Sequence, residues 1–80
     1  MNVKDMVVQR IYQLCEERSI KINELSNISG ITPSTVYSAV DSKRRDISIT
    51  TIKKICDGFD ITLGEFFSTP EFDGLDQEIS

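Results

Sequence analysis

The sequence predicts an all-α domain built from five short helices. Apolar residues recur at intervals of three and four from residue 3 to residue 67, which is the spacing of a helix face. No segment of useful length alternates with the period of two that is typical of a strand. Capping and helix-breaking residues separate the apolar stretches. The 80 residues allow one domain with a single core.

The first two helices are predicted at about residues 3–18 and 22–29. The core stripe of the first comprises Val3, Met6, Val7, Ile11, Tyr12, Leu14 and Cys15. The second has one apolar face, made by Ile22, Leu25 and Ile28 with Ser26 as a small neighbour. Gly30 is expected to end it, because glycine readily takes the left-handed conformation after a helix.

A complete start signal for the third helix lies in GITPSTVYSAV, residues 30–40. Thr32 can cap the helix, Pro33 suits its first position, and Ile31 and Val36 have the spacing of a hydrophobic staple. The helix is predicted over about 33–41. Its inward residues are Val36, Ala39 and Val40, and its outward residues are Ser34, Tyr37, Ser38 and Asp41.

The fourth helix is predicted at about 49–58, with Ser48 as its cap. Its expected core residues are Ile49, Ile52, Ile55, Cys56 and Phe59. Thr62 and Glu65 then form a capping box for a fifth, short helix. That helix should contribute Leu63, Phe66 and Phe67.

Residues 1–68 are therefore assigned to the folded domain and residues 69–80 to an acidic C-terminal tail. The tail carries three apolar residues at spacings of three and four: Phe72, Leu75 and Ile79. They could dock on the fifth helix of the same subunit or of a twofold mate. An acidic disordered end is the other interpretation.

The formal net charge of −4 arises entirely in this tail, since residues 1–70 hold nine basic and nine acidic residues. Lys43, Arg44 and Arg45 form a local positive patch after the third helix. This local patch favours a polyanionic partner, although the negative net charge of the whole chain does not.

Catalysis has almost no support in the sequence. The chain has no histidine, and Cys15 and Cys56 lie on separate predicted helices. Neither a metal cage nor a nucleophile–base pair can be assembled convincingly. We expect no enzyme, no metal, no cofactor and no small-molecule ligand, and both cysteines as buried thiols.

No apolar run exceeds three residues, and the N-terminal residues lack the order of an export signal. The sequence therefore predicts a cytoplasmic protein without a membrane segment.

Residues 22–41 contain a leucine, a small residue next to it, a turn glycine and two later apolar residues, which are Leu25, Ser26, Gly30, Val36 and Ala39. In this pattern the segment resembles the helix-turn-helix of the Cro/repressor-type (XRE-like) family. The segment TIKKICDGFDITLGEFF, residues 51–67, is similar to the family's fourth and fifth helices, with Asp60 where glycine is usual. The resemblance implies a lambda repressor-like domain that binds double-stranded DNA, with the third helix in the major groove.

On this resemblance the chain is expected to be a small, sequence-specific transcriptional regulator that works as a homodimer. Expected base contacts come from Pro33, Ser34, Tyr37 and Ser38. Expected phosphate contacts come from Lys21, Thr32, Thr35, Lys43, Arg44 and Arg45. Asp41 lies near the expected phosphate path, where a carboxylate repels.

Simpler interpretations stay open beside these expectations. The hydroxyls could be an ordinary solvated face, the basic residues a soluble loop, and Tyr37 could pack its ring on a neighbouring helix. A different function class is a protein-interaction module, an antirepressor or regulatory adaptor that uses the acidic tail as its contact.

Overall fold

The computed structural model describes residues 1–79, which fold into six α-helices and one 3₁₀ turn, without a strand in that range. The elements in chain order are α1 Val3–Glu17, the 3₁₀ turn Ile22–Glu24, α2 Leu25–Ser29, α3 Pro33–Val40, α4 Ile49–Phe59, α5 Leu63–Phe67 and α6 Pro70–Asp73. The all-α class and the five predicted helices are confirmed. The second begins as a 3₁₀ turn, and α6 was not predicted.

Helix starts follow the capping residues. Thr32, Ser48 and Thr62 each accept a hydrogen bond from the backbone N–H three residues later, at 3.2, 3.0 and 3.0 Å. Asn2 caps α1 in the same way at 2.9 Å. At α5 the Glu65 carboxylate accepts the N–H of Thr62 at 3.0 Å, which completes the predicted capping box. This backbone hydrogen bond is the main cause of a lowered pKa of Glu65.

Three helices are followed by a residue in the left-handed conformation. Ser19 after α1 has φ 55°, Gly30 after α2 has φ 67°, and Asp60 after α4 has φ 58°. After Asp60 the chain closes with a hydrogen bond from the N–H of Ile61 to the carbonyl of Cys56 at 3.0 Å. Asp60 thus fills a position that favours glycine, consistent with the tolerance of aspartate for this conformation.

One core joins α1 to α5. Its buried residues are Val7, Ile11, Leu14, Cys15, Leu25, Val36, Ile52, Ile55, Cys56, Phe59 and Phe66. Both cysteines are free and buried, as predicted. Burial is the main cause that raises the pKa of each thiol, so the thiols stay protonated and weakly reactive.

Four residues assigned to the core by spacing are exposed instead. The exposed fractions are 45% for Val3, 46% for Tyr12, 42% for Ile28 and 62% for Ile49. On α1, Val3 and Tyr12 lie at the edge of the stripe that Val7, Ile11 and Leu14 define. The two remaining corrections, Ile28 and Ile49, have a different cause, which is where the buried faces of α2 and α4 end.

In α2 only five residues are helical, and the buried ones are Leu25, Ser26 and Ser29. This face packs against α4, so the side chain of Ile28 lies outside the contact although its backbone is close to α4. Ile49 is the first residue of α4, one turn before Ile52, and the core ends at that turn.

Two cations of α1, Lys4 and Arg10, and the residue that caps its C-terminus, Arg18, bond carbonyls at or beyond the C-terminal ends of other helices. Arg10 donates from Nε to the carbonyl of Phe66 in α5 at 2.8 Å, and Arg18 donates to the carbonyl of Phe59 in α4 at 2.7 Å. Lys4 reaches the residues that follow α3. Positive groups there satisfy carbonyls that lack an intrahelical partner and oppose the negative end of the helix dipole.

The C-terminal segment returns to the domain within the same chain. Phe72 of α6 lies with its ring centroid 5.0 Å from that of Phe67 and 6.2 Å from that of Phe66. Further on, the Glu78 carboxylate accepts the N–H of Val3 at 3.0 Å. Ile79 is 89% exposed, so it does not dock on α5. Ser80, the last residue of the predicted tail, lies outside the described residues.

Candidate nucleic-acid interface

The position of α3 depends on a close approach between α2 and α4. A Cβ atom built on Gly58 would lie 2.6 Å from the hydroxyl oxygen of Ser29 and 2.8 Å from the carbonyl oxygen of Ile28. Only glycine allows the backbones to come this near without displacement. Since α2 joins α3 through a short turn at Gly30, this contact also fixes α3 on the domain.

Helix α3 has one core face and one open face. Val36 is completely buried and Ala39 is 6% exposed. On the other side Pro33 and Ser34 are exposed, and Tyr37 is 52% exposed. The ring of Tyr37 is therefore not sequestered in the core. The eight residues of α3 span about 12 Å, a length that fits within the major groove.

Hydroxyl groups are gathered at the start of α3. The Thr32 hydroxyl oxygen lies 3.1 Å from that of Ser34 and 2.8 Å from that of Thr35. It also caps the helix, so its orientation is fixed. Hydroxyls both donate and accept hydrogen bonds and are compatible with either phosphate oxygens or base edges.

A groove of about 140 Å³ separates α3 from the start of α4. It is lined by Thr35 and Ser38, which are half-buried, and by Arg44 from the intervening loop, which is exposed. Ser48 and Thr51 form the opposite side. The structure therefore brings together three of the predicted site residues and adds two hydroxyls that the sequence did not indicate.

The loop after α3 presents the positive patch. Lys43, Arg44 and Arg45 are all exposed. Within residues 1–79 the only ion pair joins Lys53 to Asp57, so no carboxylate in that range lies within 4.0 Å of a charged nitrogen of Lys43, Arg44 or Arg45. The Asp41 carboxylate instead accepts the N–H of Lys43 at 2.9 Å and shapes the turn.

Lys21 is exposed and directly precedes the 3₁₀ turn, which contacts α3. Its backbone N–H donates to the carboxylate of Glu24 at 3.1 Å, which leaves the ammonium unengaged by this contact. Lys21 thus lies beside the turn that contacts α3, while the loop cations follow the C-terminal end of that helix.

Lys4 is the residue of this region that sequence reasoning missed. It is 5% exposed, and its ammonium donates to the carbonyls of Asp41 and Arg44 at 3.1 Å each. A signal was present, because Lys4 continues the helical row of Val7, Ile11 and Leu14 as well as Val3 does.

The part of the chain that the structure describes has no group of three or more His, Cys, Asp or Glu side chains placed to hold a metal ion. Across the same residues, no helix combines the length and the apolar character needed to cross a membrane.

Comparison with known proteins agrees with this geometry. Residues 10–71 match the family model of the Cro/C1-type HTH DNA-binding domain. Among solved structures, the crystal structure of the prophage Lp1 protein 11 is similar, with a TM-score of 0.81 at 24% sequence identity, over 92% of this chain and 97% of that chain. None of the curated proteins matches. The family match spans most of the chain and includes α2, α3 and the basic loop, and we conclude that this chain belongs to the Cro/C1-type helix-turn-helix DNA-binding domain family.

Proposed function

We propose that the chain is a small transcriptional regulator that binds double-stranded DNA in a sequence-specific manner, with α3 in the major groove. The observation that carries the proposal is the two-sidedness of α3. Its inner face is anchored by Val36 and Ala39, while Ser34 and Tyr37 face outward next to a loop of three cations. Recognition helices are held in this way so that their outer side chains reach base edges.

Base contacts are assigned to Pro33, Ser34, Tyr37 and Ser38. None of these side chains can make the bidentate contacts of Arg, Lys, Asn or Gln, each of which contributes about 1–3 kcal/mol of discrimination. Sequence preference should therefore be modest and should include a contribution from DNA shape. Ser38 is half-buried at the groove, so its reach is shorter than that of Ser34.

Phosphate contacts are assigned to four cations and two hydroxyls. The residues are Lys21, Thr32, Thr35, Lys43, Arg44 and Arg45. Four neutralised phosphates give a slope of about −3.6 per chain in a plot of log affinity against log salt. One chain alone should bind weakly at physiological salt.

A homodimer would double the number of contacts, and its twofold symmetry would select a palindromic operator with half-sites about one helical turn apart. This arrangement and a cytoplasmic location are part of the proposal. Selection of bound fragments from random duplex DNA tests the operator and the symmetry together. If the selected fragments shared only one asymmetric half-site, the proposed dimer would be contradicted.

The main test is the salt dependence of binding to a labelled duplex, measured by fluorescence anisotropy. A double variant, Lys43→Gln with Arg45→Gln, should lower the magnitude of the slope by about 1.8 per chain. The matched control, Lys53→Gln with Lys54→Gln on α4, removes the same charge from exposed residues and should leave the slope unchanged. Equal slopes for the two double variants would refute the assignment of the loop to phosphate.

A further inference from the structure

Lys4 occupies an unusual position for a lysine. Its side chain is 5% exposed, and its ammonium bonds two backbone carbonyls of one loop, from Asp41 and Arg44. These residues are 37 and 40 positions away in the chain. The contact therefore ties the N-terminal turn of α1 to the segment that carries the positive patch.

A buried cation is expensive unless hydrogen bonds or an opposite charge compensate it. For residues 1–79 no carboxylate lies within 4.0 Å of the Lys4 ammonium. Its compensation comes from two carbonyl oxygens: that of Asp41, which caps the negative end of α3, and that of Arg44 in the following loop. An apolar residue could fill the core there, but it could not hold those carbonyls.

The two carbonyls belong to the turn that displays the cations. Within it the N–H of Arg44 donates to the carbonyl of Asp41 at 3.0 Å, and the N–H of Lys43 donates to the carboxylate of Asp41 at 2.9 Å. The ammonium of Lys4 bonds both ends of this turn, at 3.1 Å each. It thus closes the turn from the inside while the side chains of Lys43 and Arg44 are exposed outside.

We propose that Lys4 is a positioning residue for DNA binding, whose buried ammonium holds the loop of residues 41–45 so that Lys43, Arg44 and Arg45 are presented together to the phosphate backbone. This inference rests on the proposed function. Lys4 itself does not touch the DNA, since it is enclosed by the domain. Ordering the loop in advance lowers the entropy that binding must otherwise remove.

The test compares Lys4→Met with Lys4→Arg and with the control Lys54→Met, which removes the same charge from an exposed residue of α4. For Lys4→Met we expect a salt slope smaller by about 1–2 per chain and an affinity about tenfold lower near 0.2 M salt. Lys4→Arg should restore most of both, because guanidinium also donates to carbonyls. Lys54→Met should behave like the wild type.

Amide hydrogen exchange supplies a readout that does not depend on DNA. In Lys4→Met the amides of Lys43 and Arg44 should lose protection while the core amides of α4 keep theirs. If the wild type binds no duplex, the proposed function fails. The exchange pattern then still decides whether the Lys4 ammonium holds the loop of residues 41–45. Where Lys4→Met does not fold, Lys4→Gln replaces it as the neutral variant.

Two results overturn the proposal. One is a folded neutral variant with a lower melting temperature but the wild-type salt slope, because Lys4 would then contribute to stability only. The other is wild-type protection of the Lys43 and Arg44 amides in that variant.

Discussion

Replacing Gly58 by alanine tests how α2 is fixed against α4. The new Cβ atom would lie 2.6 Å from the hydroxyl oxygen of Ser29 and 2.8 Å from the carbonyl oxygen of Ile28. A serine hydroxyl can rotate away, but a backbone carbonyl moves only with its helix. The two helices must therefore separate by several tenths of an ångström, which loosens the core beneath α3.

The magnitude follows from two opposing terms. Overpacking a core contact costs about 1–3 kcal/mol, and contact with backbone places Gly58→Ala near the upper end. Alanine in a helix gains about 1 kcal/mol over glycine. The expected net loss in the free energy of unfolding is about 2 kcal/mol, which corresponds to a melting temperature lower by about 10 °C for a domain of this size.

Urea unfolding followed by far-UV circular dichroism measures this loss, and Gly64→Ala is the matched control. Gly64 is also helical, but its added Cβ would meet nothing closer than the Thr62 hydroxyl oxygen at 3.7 Å. That variant should gain up to about 1 kcal/mol. If Gly58→Ala proved as stable as Gly64→Ala, the close approach of α2 and α4 would not be a constraint on this fold.

Three further predictions concern single residues. Ser29→Ala should leave stability unchanged or raise it by about 1 kcal/mol in urea unfolding, because the buried Ser29 hydroxyl has no hydrogen-bond partner within residues 1–79. The lowered pKa of Glu65 predicts stability that is fully present only above the ordinary glutamate pKa of about 4.3 and is lost as pH falls from there through the lowered pKa, and Glu65→Gln should flatten this acid limb of the unfolding curve. Asp41→Asn should keep the turn at Lys43, since an amide oxygen also accepts its N–H, and should bind duplex about twofold to threefold more tightly in anisotropy titrations by removing about 0.5 kcal/mol of repulsion.

Each of these has an outcome that contradicts it. A loss of more than 1 kcal/mol in Ser29→Ala would mean that its hydroxyl has a partner, such as a bound water. If Glu65→Gln lost stability at low pH in the same way as the wild type, the carboxylate of Glu65 would not be a cause of that loss. Weaker duplex binding by Asp41→Asn would show that the carboxylate supports the interface rather than opposing it.

Local signals in the sequence were sufficient for the helices of the motif. Thr32 and Pro33 mark the start of α3, Gly30 marks the end of α2, and the spacing of three between Val36 and Ala39 identifies the buried face. Each signal acts within one turn of helix and needs no partner from elsewhere in the chain. The open face of α3 follows directly, because it is what remains.

The errors arose where burial depends on distant elements. Spacing alone assigned Ile28 and Ile49 to the core, but how far the core extends depends on how α4 packs. Both Val3 and Lys4 continue the stripe of α1, and hydropathy favoured Val3. The structure buries Lys4 because carbonyls that follow α3, far away in the sequence, satisfy its ammonium.

A titration of the labelled protein with a duplex that carries a selected site, followed in two-dimensional amide NMR spectra, shows whether the open face of α3 and the basic loop meet DNA. We expect the largest shifts at residues 33–38 and 43–45, with the exposed side of α1 around Tyr12 and the α6 segment unaffected. Shifts centred on α1 and α6, with α3 unchanged, would contradict it.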